Sequence, residues 1–325
     1  MGETSRLRRW ACVVLVAAAV CGCAQTREQV SVGVGVAAFN VEPAHPYAAL
    51  YLPYAQMSAL AYAKNDDARG CPLAGPGPDF ASPGDMAGWL RSLQAQNWHC
   101  AFGTPGFEVC APGRQCVTGL TFHVWRKPDC SQVAIAFRGT DRGDFGDMLS
   151  NLRWFIHSET WDEYNEVEYV LPQIMQRIAA LGCRNPAIVA TGHSLGGGLA
   201  QFTSYLNPRV GYVYAFNPSP VTAYFQAPDV VQTVQRLGID HVYEAGEVLA
   251  LPRYLASGVF PTAACRPYVR TIRFEIGETG GLITHHSIVN LTKGLERLAK
   301  AGPPAPLPYG FNAAANCTLE KAGRG

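Results

Sequence analysis

The chain has 325 residues, 48% of them hydrophobic, which is ample for a sizeable buried core in one large domain or two small ones. Its 26 Lys and Arg against 25 Asp and Glu leave a net charge of +1 with no run of like charge, which excludes the basic field that nucleic-acid binding needs. Beyond the extreme N-terminus no uninterrupted apolar stretch reaches transmembrane length, so no spanning helix is expected in the body of the chain.

The first element in chain order is an export signal. In MGETSRLRRWACVVLVAAAVCGCAQ, Arg6, Arg8 and Arg9 precede an apolar core over 10–21, the layout of a segment removed on export. The core closes on Val20, Cys21, Gly22 and Cys23, which resembles the lipobox of bacterial lipoproteins, whose last cysteine becomes the lipidated first residue. Residues 1–22 are then a lipoprotein signal peptide, Cys23 the lipidation site and 23–45 a tether; the alternative is an ordinary secretory signal. The expected location is extracytoplasmic, anchored to a bacterial membrane at the outer membrane or the periplasmic face, with secretion as the alternative.

Cysteine usage agrees with export. Without Cys12, Cys21 and Cys23, eight remain: Cys71, Cys100, Cys110, Cys116, Cys130, Cys183, Cys265 and Cys317. The number is even and the spacing fits no zinc pattern and no C-x-x-C, so a disulfide framework is expected rather than metal or redox chemistry. Five of the eight lie between 71 and 130 in Gly- and Pro-rich sequence, which reads as a stapled, loop-rich insert over about 64–118. Cys110 and Cys116 bracket APGRQ and can close a short hairpin; the pairing as a whole stays open.

Periodicity predicts a helix over 47–62, before the insert. GLTFHVWRKPDCSQVAIAFRGT then reads as a hairpin turning at 127–131, its second strand ending at Thr140. From Tyr164, Val167, Leu171, Ile174, Ile178 and Leu181 mark one helix face ended by Gly182, with Pro172 either kinking the helix or beginning a second one. Short β-rich runs follow at 187–191, 210–216, 241–245 and 270–276, separated by predicted helices. That alternation indicates an α/β fold with a largely parallel sheet flanked by helices over 46–301, followed by an extended Pro-rich tail over 302–325.

IVATGHSLGGGLAQF joins a buried strand to a helix through Gly192-His193-Ser194-Leu195-Gly196. This is the G-x-S-x-G nucleophile elbow: the serine occupies strained backbone on a sharp turn, and side chains at the flanking positions would collide with the neighbouring strand and helix. Ser194 is therefore the candidate nucleophile, and a serine hydroxyl needs an adjacent general base. His285 and His286 follow the last predicted strand, where such a fold presents its base; His193 lies within the elbow and is not assigned that role. The backbone N–H of Leu195, directly after the nucleophile, supplies one oxyanion donor.

Together, VAIAFRGTD, IVATGHSLGGGLA and HHSIVNL resemble, in their order, the class 3 (fungal-type) lipase family of α/β hydrolases, over about 46–299. The resemblance implies a serine esterase acting on lipid acyl esters without a cofactor or metal, with a lid falling within 141–161. It implies His286 rather than His285 as the base and Thr140 as the second oxyanion donor. The family's acid is an aspartate followed soon by an apolar residue and a proline. In GIDHVYEAGEVLALP that pattern falls on Glu247, with Val248 and Pro252 after it, and substitutes glutamate for aspartate; Glu244 and Asp240 remain alternatives. Arg138 reads as a structural ion-pair partner, and Asp141, Asp144 and Asp147 as a solvated loop or helix cap rather than calcium ligands. The expected partners are a lipid or acyl-ester substrate and, through the anchor, a membrane surface. A lipase or phospholipase A activity is the leading reading, a carboxylesterase or thioesterase for smaller acyl groups the second, and a hydrolase-fold surface protein that binds without turnover the third.

Overall fold

The computed structural model describes residues 29–34, 40–77, 81–109, 111, 119–140, 162–228, 230–247, 267–276 and 284–301. Five parallel strands make the centre of its sheet: β5 (Gln132–Phe137), β6 (Ala187–His193), β7 (Val210–Phe216), β8 (Gly238–Glu244) and β9 (Tyr268–Phe274). Antiparallel strands extend both edges, β1 (Gln29–Val34) and β2 (Asn40–Pro43) beside β9, and β3 (His99–Gly103) and β4 (Phe122–Arg126) beside β5. The order is β2-β1-β9-β8-β7-β6-β5-β4-β3.

Helices cover both faces, so β5 and β7 are apolar on both sides rather than alternating with polar residues. Val133, Ile135 and Phe137 of β5 and Val213 and Ala215 of β7 pack with α3 (Glu163–Ala180) and α4 (Leu195–Leu206). Ala134, Ala136, Tyr214 and Phe216 turn the other way, toward α1 (Ala44–Leu60), α2 (Pro83–Ala95) and α5 (Ile288–Ala299). On that face Tyr54 of α1 stacks on Tyr214 with ring centroids 4.1 Å apart. The result is the largely parallel sheet flanked by helices expected from the alternation of elements.

Several elements differ from expectation. The segment read as a tether contributes β1 and β2, and β1 pairs along β9, so the sheet begins well before residue 46. The insert is not all loop. It holds α2, which starts at a reciprocal capping box between Ser82 and Asp85, and β3, which adds to the sheet through β4. The Cys71–Cys100 disulfide ties the insert's first loop to β3, and Cys130–Cys183 ties the hairpin turn to the segment after α3. Cys110, Cys116, Cys265 and Cys317, the N-terminal segment with Cys23, the region 141–161 and the tail lie outside the described residues.

Helix α3 runs unbroken through Pro172. The carbonyl that the proline leaves without its helical donor belongs to Glu168, and both residues are exposed, on the solvent side of the helix. Strand β5 ends at Phe137 rather than Thr140, and β8 begins at Gly238, three residues earlier than expected.

That earlier start places Asp240 inside β8, opposite Arg270 of β9. Asp240 accepts from Arg270 Nε at 2.7 Å and Nη2 at 2.6 Å, and from the hydroxyls of Tyr51 at 2.9 Å and Tyr212 at 3.0 Å. Burial opposes the charge on Arg270, and the Asp240 carboxylate more than offsets it, so the guanidinium titrates above its ordinary range. Asp240 is thus committed to a buried ion pair within the sheet.

Candidate active site

β6 ends at His193 and α4 begins at Leu195, which leaves Ser194 alone to make the strand-to-helix turn. It does so at φ +56° and ψ −124°, a conformation that costs a non-glycine residue about 1–3 kcal/mol and persists only where the surroundings impose it. Its N–H donates to the Phe216 carbonyl at 3.0 Å, and its own carbonyl accepts from Gly197 N at 3.0 Å and Ser219 N at 2.9 Å. A Cβ on Gly192 would overlap the carbonyl of Gly196, and one on Gly196 the carbonyl of Phe137. Both obstacles are backbone, which cannot rotate away. Ser194 is buried, and its Oγ carries no hydrogen bond among the described residues.

The histidine pair follows β9, immediately before α5. His286 Nδ1 lies 2.8 Å from Oε2 of Glu247, and both side chains are buried. A carboxylate accepts, so Nδ1 carries the proton and Nε2 is left with its lone pair. Glu247 stands three residues beyond β8, after a turn that Gly246 makes at φ +79°. The neighbouring pair repeats the arrangement: His285 Nδ1 lies 2.9 Å from Glu244 Oε1 at the last residue of β8. Asp240 engages neither histidine by any of these bonds.

His193 joins the elbow to the histidine segment. Its Nε2 donates to the carbonyl of His286 at 2.6 Å, so its Nδ1 is the acceptor, 3.0 Å from the Tyr62 hydroxyl. The His193 and His286 rings lie 4.8 Å apart. The residue before Ser194 therefore touches both the ring and the backbone of His286.

The chain after β5 rides directly on the elbow. A Cβ on Gly139 would meet the carbonyl of His193 and come within 3.1 Å of Gly196 N, so Thr140 follows a point of backbone contact with the turn. Leu195 opens α4, where the amides have no partner within the helix and carry its positive end. Arg138 forms no ion pair among the described residues. It donates from Nη2 to the Gly119 carbonyl at 2.8 Å.

Ser194, Leu195, Thr140, Glu247 and His286 all lie in segments that follow the C-terminal ends of parallel strands. Cys23, Asp141, Asp144, Asp147, Val248 and Pro252 lie outside the described residues. Tyr62 and Asn217 were not singled out by the sequence. Tyr62 follows a helix whose apolar pattern hides a hydroxyl's role, and Asn217 is one polar residue after an apolar strand. Among the described residues no group of three or more His, Cys, Asp or Glu side chains is arranged to hold a metal.

A strand-turn-helix serine at this edge of a parallel sheet, with a buried histidine-carboxylate pair from segments that follow later strands, defines an α/β-hydrolase fold. No protein-family model and no curated protein sequence matches the chain. Among solved structures it is similar to lipase II from Rhizopus niveus, at 13% identity and TM-score 0.41, covering 70% of this chain and 79% of that one. It is similar to the lipase from Rhizopus microsporus var. chinensis at 15% identity and TM-score 0.40, covering 73% and 74%. It is similar to the Lip2 lipase from Yarrowia lipolytica at 13% identity and TM-score 0.37, covering 63% and 73%.

Proposed function

We propose that the protein is a serine ester hydrolase for lipid acyl esters, of triacylglycerol lipase or phospholipase A type, working through an acyl-enzyme. The observation that carries this reading is the contact between the elbow and the His286–Glu247 pair, which His193 makes on the residue next to Ser194. The lipid substrate rests on the motif resemblance.

In this reading Ser194 Oγ attacks the ester carbonyl while His286 Nε2 takes the hydroxyl proton. Glu247 holds the ring in the tautomer that leaves Nε2 unprotonated and stabilises the imidazolium that forms. The negative oxygen of the tetrahedral intermediate accepts from the N–H groups of Leu195 and Thr140, donors fixed before the reaction begins. His286 returns the proton to the departing alcohol, leaving Ser194 acylated. Water then repeats the sequence and releases the fatty acid.

The Cys71–Cys100 and Cys130–Cys183 disulfides support an extracytoplasmic location, where such bonds persist. The anchor at Cys23 belongs to the same proposal.

The test is hydrolysis of a panel of triacylglycerols, phospholipids and short p-nitrophenyl esters by the purified protein, with Ser194→Ala alongside. Release of fatty acid from the lipids, abolished in the variant, supports the reading. Turnover confined to the short esters would replace it with a carboxylesterase, and no turnover of any ester would overturn it.

A further inference from the structure

Two consecutive histidines face two glutamates three residues apart, and each histidine has taken a different one. His285 bonds Glu244 at 2.9 Å and His286 bonds Glu247 at 2.8 Å. A slip of the segment by one residue would offer the wrong ring to Glu247. The fold therefore needs something that sets the register of 285–286.

Asn217 stands where such a device would act. It follows β7 with its backbone in the left-handed region at φ +40°, and it is fully buried. Its N–H donates to the Val242 carbonyl at 2.8 Å, its side-chain oxygen accepts from Glu244 N at 3.1 Å, and its side-chain NH₂ donates to the His285 carbonyl at 3.2 Å. One amide thus bridges the end of β8 and the backbone of the histidine segment, and only a side chain with both a donor and an acceptor at its tip can do so. Residue 285 is then held twice, by its carbonyl to Asn217 and by its ring to Glu244. The next carbonyl is held by His193, from the end of β6. The ends of β6, β7 and β8 each hold this two-residue stretch.

We propose that Asn217 and the His285–Glu244 pair form a positioning clamp that fixes the register of the histidine segment, so that His286 rather than His285 is delivered to Glu247 and Ser194. The clamp takes no part in proton transfer. It rests on the reading of His286 as the base, and it acts through His286 alone.

Asn217→Gly removes the bridging amide while suiting the left-handed backbone. His285→Ala removes the other hold at a partly exposed position and serves as the second variant. Each lowers kcat by about 10–100-fold with KM within twofold of wild type, the scale expected when a reacting group is displaced by about an ångström. The double variant is scarcely worse than either single one, because the two residues act as one unit. A second readout needs no activity: the downfield proton resonance of the His286–Glu247 bond, assigned by its loss in His286→Ala, exchanges with water faster in both clamp variants. Wild-type kcat and an unchanged resonance in folded Asn217→Gly and His285→Ala would overturn the clamp and leave the hydrolase reading standing. A resonance that responds as stated, in a protein that hydrolyses no ester, would uphold the clamp and overturn that reading.

Discussion

Glu247 meets His286 at 2.8 Å, although the position expected of this acid in the resembling family is filled by the shorter aspartate. Glu247 lies beyond β8, after the turn at Gly246, rather than on the strand itself.

Replacing Glu247 by Gln keeps the size of the side chain but offers His286 an amide that can stabilise the wrong tautomer. We expect kcat to fall by up to about 10⁴-fold with the fold intact. Glu244→Gln keeps an acceptor for His285 and should cost no more than about tenfold, well below the loss expected where a misplaced group reaches the reacting atoms. Steady-state kinetics on a soluble ester separates the two. A larger loss in Glu244→Gln than in Glu247→Gln would exchange their roles.

Arg270→Met leaves Asp240 as a buried carboxylate without its cation, facing, among the described residues, the hydroxyls of Tyr51 and Tyr212. Breaking one side of such a pair costs about 3–5 kcal/mol. Urea unfolding followed by tryptophan fluorescence should show a midpoint shifted down accordingly, while the folded variant keeps its kcat. A variant as stable as wild type would contradict the structural role assigned to Asp240.

Cys23→Ser tests the anchor. Acyl chains contribute about 0.8 kcal/mol per buried CH₂, so their loss should move the protein from the membrane fraction to the soluble fraction, or stall its processing. Mass spectrometry of the mature N-terminus decides the matter: an unmodified cysteine on protein from a membrane-bearing host would contradict lipidation.

The parts legible in the sequence were those whose residue pattern is itself a statement about backbone. G-x-S-x-G spells out where two chains approach too closely for a Cβ, and the apolar run Val210–Phe216 was read with the bounds β7 has. Strands β1 and β2 were not legible, because the partner that makes QVSVGV a strand is β9, some 240 residues along the chain. Helix α2 did leave a signal, Ser82 followed three residues later by Asp85, but the surrounding Gly and Pro masked it. Asp240 was set outside its strand because a buried charge breaks an apolar run, and only the facing Arg270 explains it. Asn217 carries no pattern at all. Its importance comes from what it touches, at residues 242, 244 and 285.

Activation of Ser194 as a nucleophile is measured most directly by reaction of the folded protein with a fluorophosphonate, read by intact mass and peptide mapping. One equivalent of label on Ser194 in the wild-type protein, and none in Ser194→Ala, is the expected result. A folded wild-type protein that takes up no label, or a Ser194→Ala variant labelled as fast as wild type, would contradict it.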